Sequence, residues 1–219
     1  MTSMTLRSNA DRVNQMGQRI GAKGERTRQK LIDVTVTLLE THGLRDLTVA
    51  EIARCAETSP ATFYVYFDGV PEALLAALET TTQSTPDLLQ MLEDNWAVSQ
   101  GYARARAFVE QYCVHWAAHS TVFRCRNLAA EEGDTRFLAA RREAVTPLLE
   151  ALAQKVTVAQ KEGRVLDKLQ PRASAGAVLT LLERLAAVGP TTPAQPGMSF
   201  KTFKDSAAFM VANMLGAAG

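Results

Sequence analysis

The stretch from Thr48 to Pro60 leaves the backbone little choice. Thr48-Val49-Ala50-Glu51 is a capping box, in which the Thr side chain caps a free amide and Glu51 returns the bond. Leu47 and Ile52 occupy the positions of a hydrophobic staple. The helix opened there must be short, because Glu57-Thr58-Ser59-Pro60 follows. Pro60 disfavours helical geometry at Ser59 but suits the first position of a new helix, with Ser59 as its N-cap. A helix of about two turns, a tight turn and a second short helix are therefore predicted in succession. The second carries Phe63, Tyr64, Val65, Tyr66 and Phe67 and ends at Asp68-Gly69.

The flanking chain is helical too. From Glu25, the residues Leu31, Ile32, Val34, Val36, Leu38 and Leu39 cover one broad face. That helix is expected to stop at His42-Gly43-Leu44, with Gly43 as a left-handed cap and Leu44 folding back onto Leu39. A fourth helix starts near Pro71, with Leu74, Leu75 and Leu78 as its buried stripe. Further helices are predicted over Pro86–Ala97, Tyr102–His119, Val122–Glu132, Thr135–Glu162, Pro171–Val188 and Phe200–Leu215. Gly189–Gly197 is an internal loop whose prolines exclude helix. No segment alternates with period two, so the fold class is all-α. The division expected is a flexible basic arm (1–24), a three-helix DNA-binding unit (25–70) and a larger helical ligand-binding and dimerisation domain (71–219).

Charge is informative only once it is split. Residues 1–30 hold seven basic and two acidic residues, while the whole chain has a net charge of +1. A basic head on a mildly acidic body suits contact with a polyanion, or simply a solubilising tail. No apolar run approaches the roughly 20 residues that cross a bilayer, and Met1–Gly24 has no apolar signal core, so a cytoplasmic protein is expected. Three cysteines (Cys55, Cys113, Cys125) are too few for a disulfide framework. There is no GxSxG, phosphate loop or workable carboxylate pair, which argues against an enzyme, and no cofactor is expected.

Two short helices around a tight turn, beside a basic segment, fit a helix-turn-helix as well as an ordinary helical corner. The residues go further. Arg28-Gln-Lys-Leu-Ile-Asp, Leu38-Leu39-Glu-Thr-His-Gly43, Leu47-Thr48-Val-Ala-Glu-Ile-Ala53, Ser59-Pro-Ala-Thr62-Phe63-Tyr64-Val-Tyr66-Phe67 and Glu72-Ala-Leu74-Leu75 together resemble the TetR family of bacterial transcriptional regulators. The resemblance covers about Glu25–Leu78 without a gap.

It implies a homodimer that binds a near-palindromic double-stranded operator and is released by a small effector, so that the chain acts as a repressor. Thr48 would contact phosphate at the start of its helix. Ser59, Pro60, Ala61, Thr62 and Tyr64 would lie in or beside the major groove, and Tyr66 would reach phosphate. Thr27 or Arg28 would contact the backbone, with Lys23 and Arg26 in the adjoining basic segment. Phe63 and Phe67 would be core.

The chain departs from the family where the turn glycine is replaced near Glu57, and where the usual Lys before the fourth helix gives way to Val70-Pro71. No Lys or Arg occurs between Arg54 and Arg104. The recognition helix therefore offers no Arg to guanine, the commonest specific contact, and must read sequence through hydroxyls, methyl contacts, Tyr and DNA shape. Charge is expected from the arm, Arg28, Lys30, Arg45 and Arg54.

The expected effector cavity is lined by Tyr112, Trp116, Phe123, Leu148, Leu149, Leu152 and Leu182. So few charges point to a hydrophobic or amphipathic ligand. Glu183, on an apolar stretch, could hydrogen-bond a ligand, but is read first as a charge on a solvated face near Arg184. Small residues in Pro171–Val188 and Phe200–Leu215 point to these two helices as the dimer interface. Other readings remain open. His115 and His119, at i and i+4, could share a metal. Cys55, or Cys125 between Arg124 and Arg126, could sense oxidants. The chain could also be a helical interaction module that binds no DNA.

Overall fold

The computed structural model describes residues 14–82, 85–94, 96 and 98–217. Arg7 and Arg12 of the arm, and Ala97 at the expected end of one helix, lie outside them. Among the described residues ten α-helices follow one another and there is no strand; Gln195 and Met198 form an isolated bridge.

α1 (Ala22–Leu38), α2 (Val49–Cys55) and α3 (Pro60–Tyr66) form the N-terminal unit. Its core is Leu31, Ile32, Leu39, Leu47, Ile52, Phe63 and Phe67, each no more than 5% exposed. Ser59 caps α3 by accepting from Thr62 N–H at 3.1 Å. Thr48 caps α2 by accepting from Glu51 N–H at 3.2 Å. The return bond of the expected capping box is not formed, because the Glu51 carboxylate turns to His42 Nε2, 3.7 Å away. A reciprocal box forms instead on α10, between Ser199 and Thr202.

One backbone expectation is corrected. Gly43 does not take the left-handed conformation. Its value is room: a Cβ there would stand 2.7 Å from an Asp46 carboxylate oxygen. In the next turn, at the end of α2, Glu57 is left-handed at φ 54°, the one non-glycine among the described residues to be so. Thr58 N–H donates to Ala53 C=O at 2.9 Å and Glu57 N–H to Arg54 C=O at 3.1 Å. This Schellman arrangement closes α2 with a side chain where glycine is at ease. Replacing Glu57 with Gly is expected to raise the melting temperature by about 2–4 °C, as differential scanning calorimetry would show. The exposed Lys30–Glu57 pair lost in that variant is weak compensation, being solvent-screened.

α4 (Val70–Thr82) packs along α1 and reaches α7 and α8. The larger domain adds α5 (Pro86–Glu93), α6 (Gly101–Ala118), α7 (Ser120–Glu131), α8 (Thr135–Lys161), α9 (Pro171–Val188) and α10 (Phe200–Met214). α6 packs mainly against α10 and α9, and α8 against α9 and α7. A 3-10 turn at Gly189–Thr191 sits in the loop from which the prolines were expected to exclude helix, since Pro190 suits its first turn. Pro147 lies inside α8 with its side of the helix exposed, so α8 runs on through it with one backbone bond missing.

Candidate DNA-binding face and effector cavity

The N-terminal face is built from helix starts. Ser59, Pro60, Ala61 and Tyr64 are exposed, Tyr64 by 52%, while Phe63 beneath them is fully buried. The Ser59 and Thr62 hydroxyls lie 3.0 Å apart, which holds both beside the free amides of the first turn of α3. Tyr66 is half-buried, and its hydroxyl lies 3.3 Å from where a Cβ on Gly24 would be, so it sits against the start of α1. Lys23 and Arg26 are exposed on that same first stretch of α1. Thr27 donates its hydroxyl to Lys23 C=O at 3.1 Å. Arg28 lies over the Phe67 ring, 5.3 Å from its centroid.

The expected cations are not all alike. Lys30 pairs with Glu57 at 2.7 Å, and Arg45 pairs with Glu132 of the larger domain at 2.9 Å. Arg54 is exposed. The stretch before α1 does more than carry charge. Asn14 Oδ1 accepts from Met16 N–H and Gln18 N–H at 3.0 and 2.9 Å, Gly17 supplies a left-handed turn, and Gln15 N–H donates to Val65 C=O at 2.9 Å. Residues 14–20 thus fold back onto α3.

The cavity among the helices of the larger domain has a volume of about 40 Å³. That is room for a water or two, not for a drug-sized body. Tyr112, His115 and Trp116 of α6, Phe123 and Arg126 of α7, and Leu148 of α8 line it, with Glu183 of α9. Thr81 from the end of α4, and Thr85, close one side. Of the sequence-derived lining residues, Tyr112, Trp116, Phe123 and Leu148 meet here. The other three do not: Leu152 and Leu182 are fully buried core, and Leu149 packs towards Gly176 of α9.

Glu183 is the residue that sequence reasoning misplaced. Its carboxylate accepts from Asn127 Nδ2 at 2.7 Å, Arg141 at 2.6 Å and Arg126 at 3.3 Å. It is an interhelical acceptor, not a solvated charge. The missed signal was the placing of Arg126, Arg141 and Glu183 one on each of three helices, which no local pattern reveals. Burial pushes the Arg126 pKa down, and Glu183 opposes that shift. Burial, and next the Glu183 charge, push the Tyr112 phenol well above its usual range.

The metal and redox readings gain little. Among the described residues no three His, Cys, Asp or Glu side chains cluster as a metal site. His115 and His119 pack as rings on Phe123, with centroids 5.5 and 5.7 Å away. Burial pushes Cys113 up to about 11. Burial also raises Cys125, outweighing Arg124. Burial lowers both histidines, with His119 and Arg126 adding to the effect at His115. The folded state therefore binds fewer protons there than the unfolded chain. Stability is complete above the ordinary histidine pKa near 6.5 and falls as pH drops below it. Thermal melts at pH 7.5 and 5.5 should show a loss at the lower pH that shrinks in a His115→Gln/His119→Gln variant.

A second, more open cleft of about 370 Å³ lies between α5, α8 and the C-terminal segment, with Leu92, Trp96, Lys155 and Arg164 on its walls. It touches none of α1–α4.

The comparisons agree with this geometry. Residues 31–78 match the family described as bacterial regulatory proteins, tetR family, and residues 88–216 match the tetracyclin repressor-like C-terminal domain. The transcriptional regulator SrpR of Pseudomonas putida is 33% identical over 86 residues, covering 37% of this chain and 39% of its own length. The fatty acid degradation regulator FadR of Bacillus halodurans shares the fold, with a TM-score of 0.66 at 15% identity over 85% of this chain and 94% of that one. FadR of Bacillus subtilis, solved with stearoyl-CoA, has a TM-score of 0.65 at 14% identity, covering 84% and 97%. No helix among the described residues is long and apolar enough to cross a membrane. With a helix-turn-helix at one end, a helical domain at the other and both halves matched, the chain belongs to the TetR family of transcriptional regulators.

Proposed function

We propose that the chain is a cytoplasmic homodimeric repressor, released from a near-palindromic operator by a small hydrophobic or amphipathic effector. The two α3 helices would enter successive major grooves about 34–36 Å apart. Ser59, Pro60, Ala61, Thr62 and Tyr64 would face the base edges, and Thr48, Tyr66, Thr27, Arg28, Lys23 and Arg26 the phosphates.

The observation that carries the effector reading is the position of α4. It packs along α1, while Thr81 at its far end walls the inner cavity. An effector too large for about 40 Å³ must displace that wall, and α4 would carry the displacement to α1. Arg45–Glu132 joins the N-terminal unit to the larger domain, and Glu72–Arg136 joins α4 to α8. The ligand acts only by binding one spacing of the two α3 helices better than the other. The acyl-CoA held by one FadR supports an amphipathic class of ligand.

Fluorescence anisotropy on duplexes flanking the chain's own gene tests this. Nanomolar binding reversed by acyl or aromatic compounds is expected. Absence of binding to any such duplex would sink the DNA reading, and binding that no compound alters would sink the effector reading.

A further inference from the structure

The geometry points to an anion site at the floor of the inner cavity, and to an effector carrying a carboxylate on an aromatic or short aliphatic body. This rests on the reading of that cavity as the effector site.

Arg126 is 3% exposed, midway along α7. Its Nε donates to Asn127 Oδ1 at 3.0 Å and its Nη2 to Glu183 Oε1 at 3.3 Å. Its Nη1 has no acceptor among the described residues. That Nη1 is not sealed from open space, so an occupant of the cavity can reach it and accept from it. Glu183 cannot serve further. Asn127 also donates to its Oε1, and Arg141 takes its Oε2.

One carboxylate is thus shared by two guanidiniums, and the cluster carries an unbalanced positive charge. No other ionised side chain lines the cavity, and His115 is held neutral by its burial. The Tyr112 hydroxyl, protonated and without a hydrogen bond among the described residues, is a second donor at the same cavity. A carboxylate brings one negative charge and two acceptor oxygens in the planar geometry that a guanidinium matches. A neutral amide would leave the charge unmet, and a cation would face two arginines.

Size supports the same assignment. About 40 Å³ takes a carboxyl group but not the body behind it. With the head fixed at Arg126, the body lies among Trp116, Phe123 and Leu148 and presses on Thr81 at the end of α4.

The test uses the full-length protein, with phenylacetate and octanoate against phenylacetamide and octanamide, by calorimetry. The acids are expected to bind at least about tenfold tighter than the amides. Arg126→Gln should bring the acids down to the level of the amides. Glu183→Gln removes the competing internal carboxylate and should tighten the acids. A gain of affinity cannot come from misfolding, and circular dichroism verifies both variants. Equal binding of acids and amides, binding of neither, or weaker acid binding by Glu183→Gln overturns the anion site. Operator release is scored separately. Amides that release the operator as well as acids do would sink the anion site but keep the effector cavity. Acids that bind at Arg126 without moving the operator would sink the effector reading alone.

Discussion

Phe209→Asp is expected to turn the protein into a monomer and to cut operator affinity about a hundredfold, as light scattering and anisotropy would measure. Phe209 is 60% exposed and its neighbour Met210 is 53% exposed on the outer side of α10. Two adjacent large apolar side chains on one helix make a patch suited to a self-complementary contact with a second copy. The substitution leaves the chain's own packing alone. α10 is held to α6 by Arg106–Asp205 at 2.5 Å and Lys204–Glu110 at 2.7 Å, and by buried Ala207, Ala208, Val211 and Ala212. The loss on DNA comes from avidity. A dimer binds its second half-site at an effective concentration near millimolar, which separate monomers at lower concentration lack. A Phe209→Asp protein that stays dimeric would place the interface on another face.

This patch also revises how the interface was expected to form. The small residues of the last two helices looked like a surface for close helix approach. Ala175, Ala207, Ala208 and Ala212 are instead consumed inside one chain, where α9 and α10 meet α8 and α6. Ala173 and Ala177 stay outside. Small size in a helix says that something comes close; it does not say whether the partner is the same chain or another.

The same limit runs through the cavity and does not touch the helix-turn-helix. Thr48, Ser59 and Pro60 act on amides two or three residues away, so their meaning is local and readable. Glu57 shows the boundary of that rule. The turn before Pro60 was readable, but that Glu57 itself takes the left-handed conformation was not, because the Schellman closure depends on where α2 ends. Leu152 and Leu182 share the apolar character of Leu148, yet only Leu148 reaches the cavity. Helical spacing gives the face a residue is on, and tertiary packing decides whether that face meets space or another helix. Arg126, Arg141 and Glu183 are the extreme case: their meeting spans three helices.

Removing residues 1–13 is expected to flatten the salt dependence of operator binding by about 3 to 4 in the slope of log K against log salt, with dimerisation unchanged. Each phosphate neutralised on duplex DNA contributes about 0.9 to that slope. The deletion takes Arg7 and Arg12 from each of two subunits. The reason these cations matter is the rest of the surface. α3 carries none, Lys30 is paired with Glu57, and Arg45 is paired across to Glu132. The cut has to stop at Val13. Beyond it, Asn14–Gln18 hydrogen-bonds to itself and Gln15 holds Val65 C=O, so a longer deletion would disturb α3 as well as remove charge. Ile20 reinforces that boundary, with its Cγ2 only 2.7 Å from where a Cβ on Gly24 would be. Loss of slope on removing 1–13, with the melting temperature intact, would mean that the arm binds phosphate. An unchanged slope would make it a passive tail and leave Lys23, Arg26, Arg28 and Arg54 to supply the charge alone.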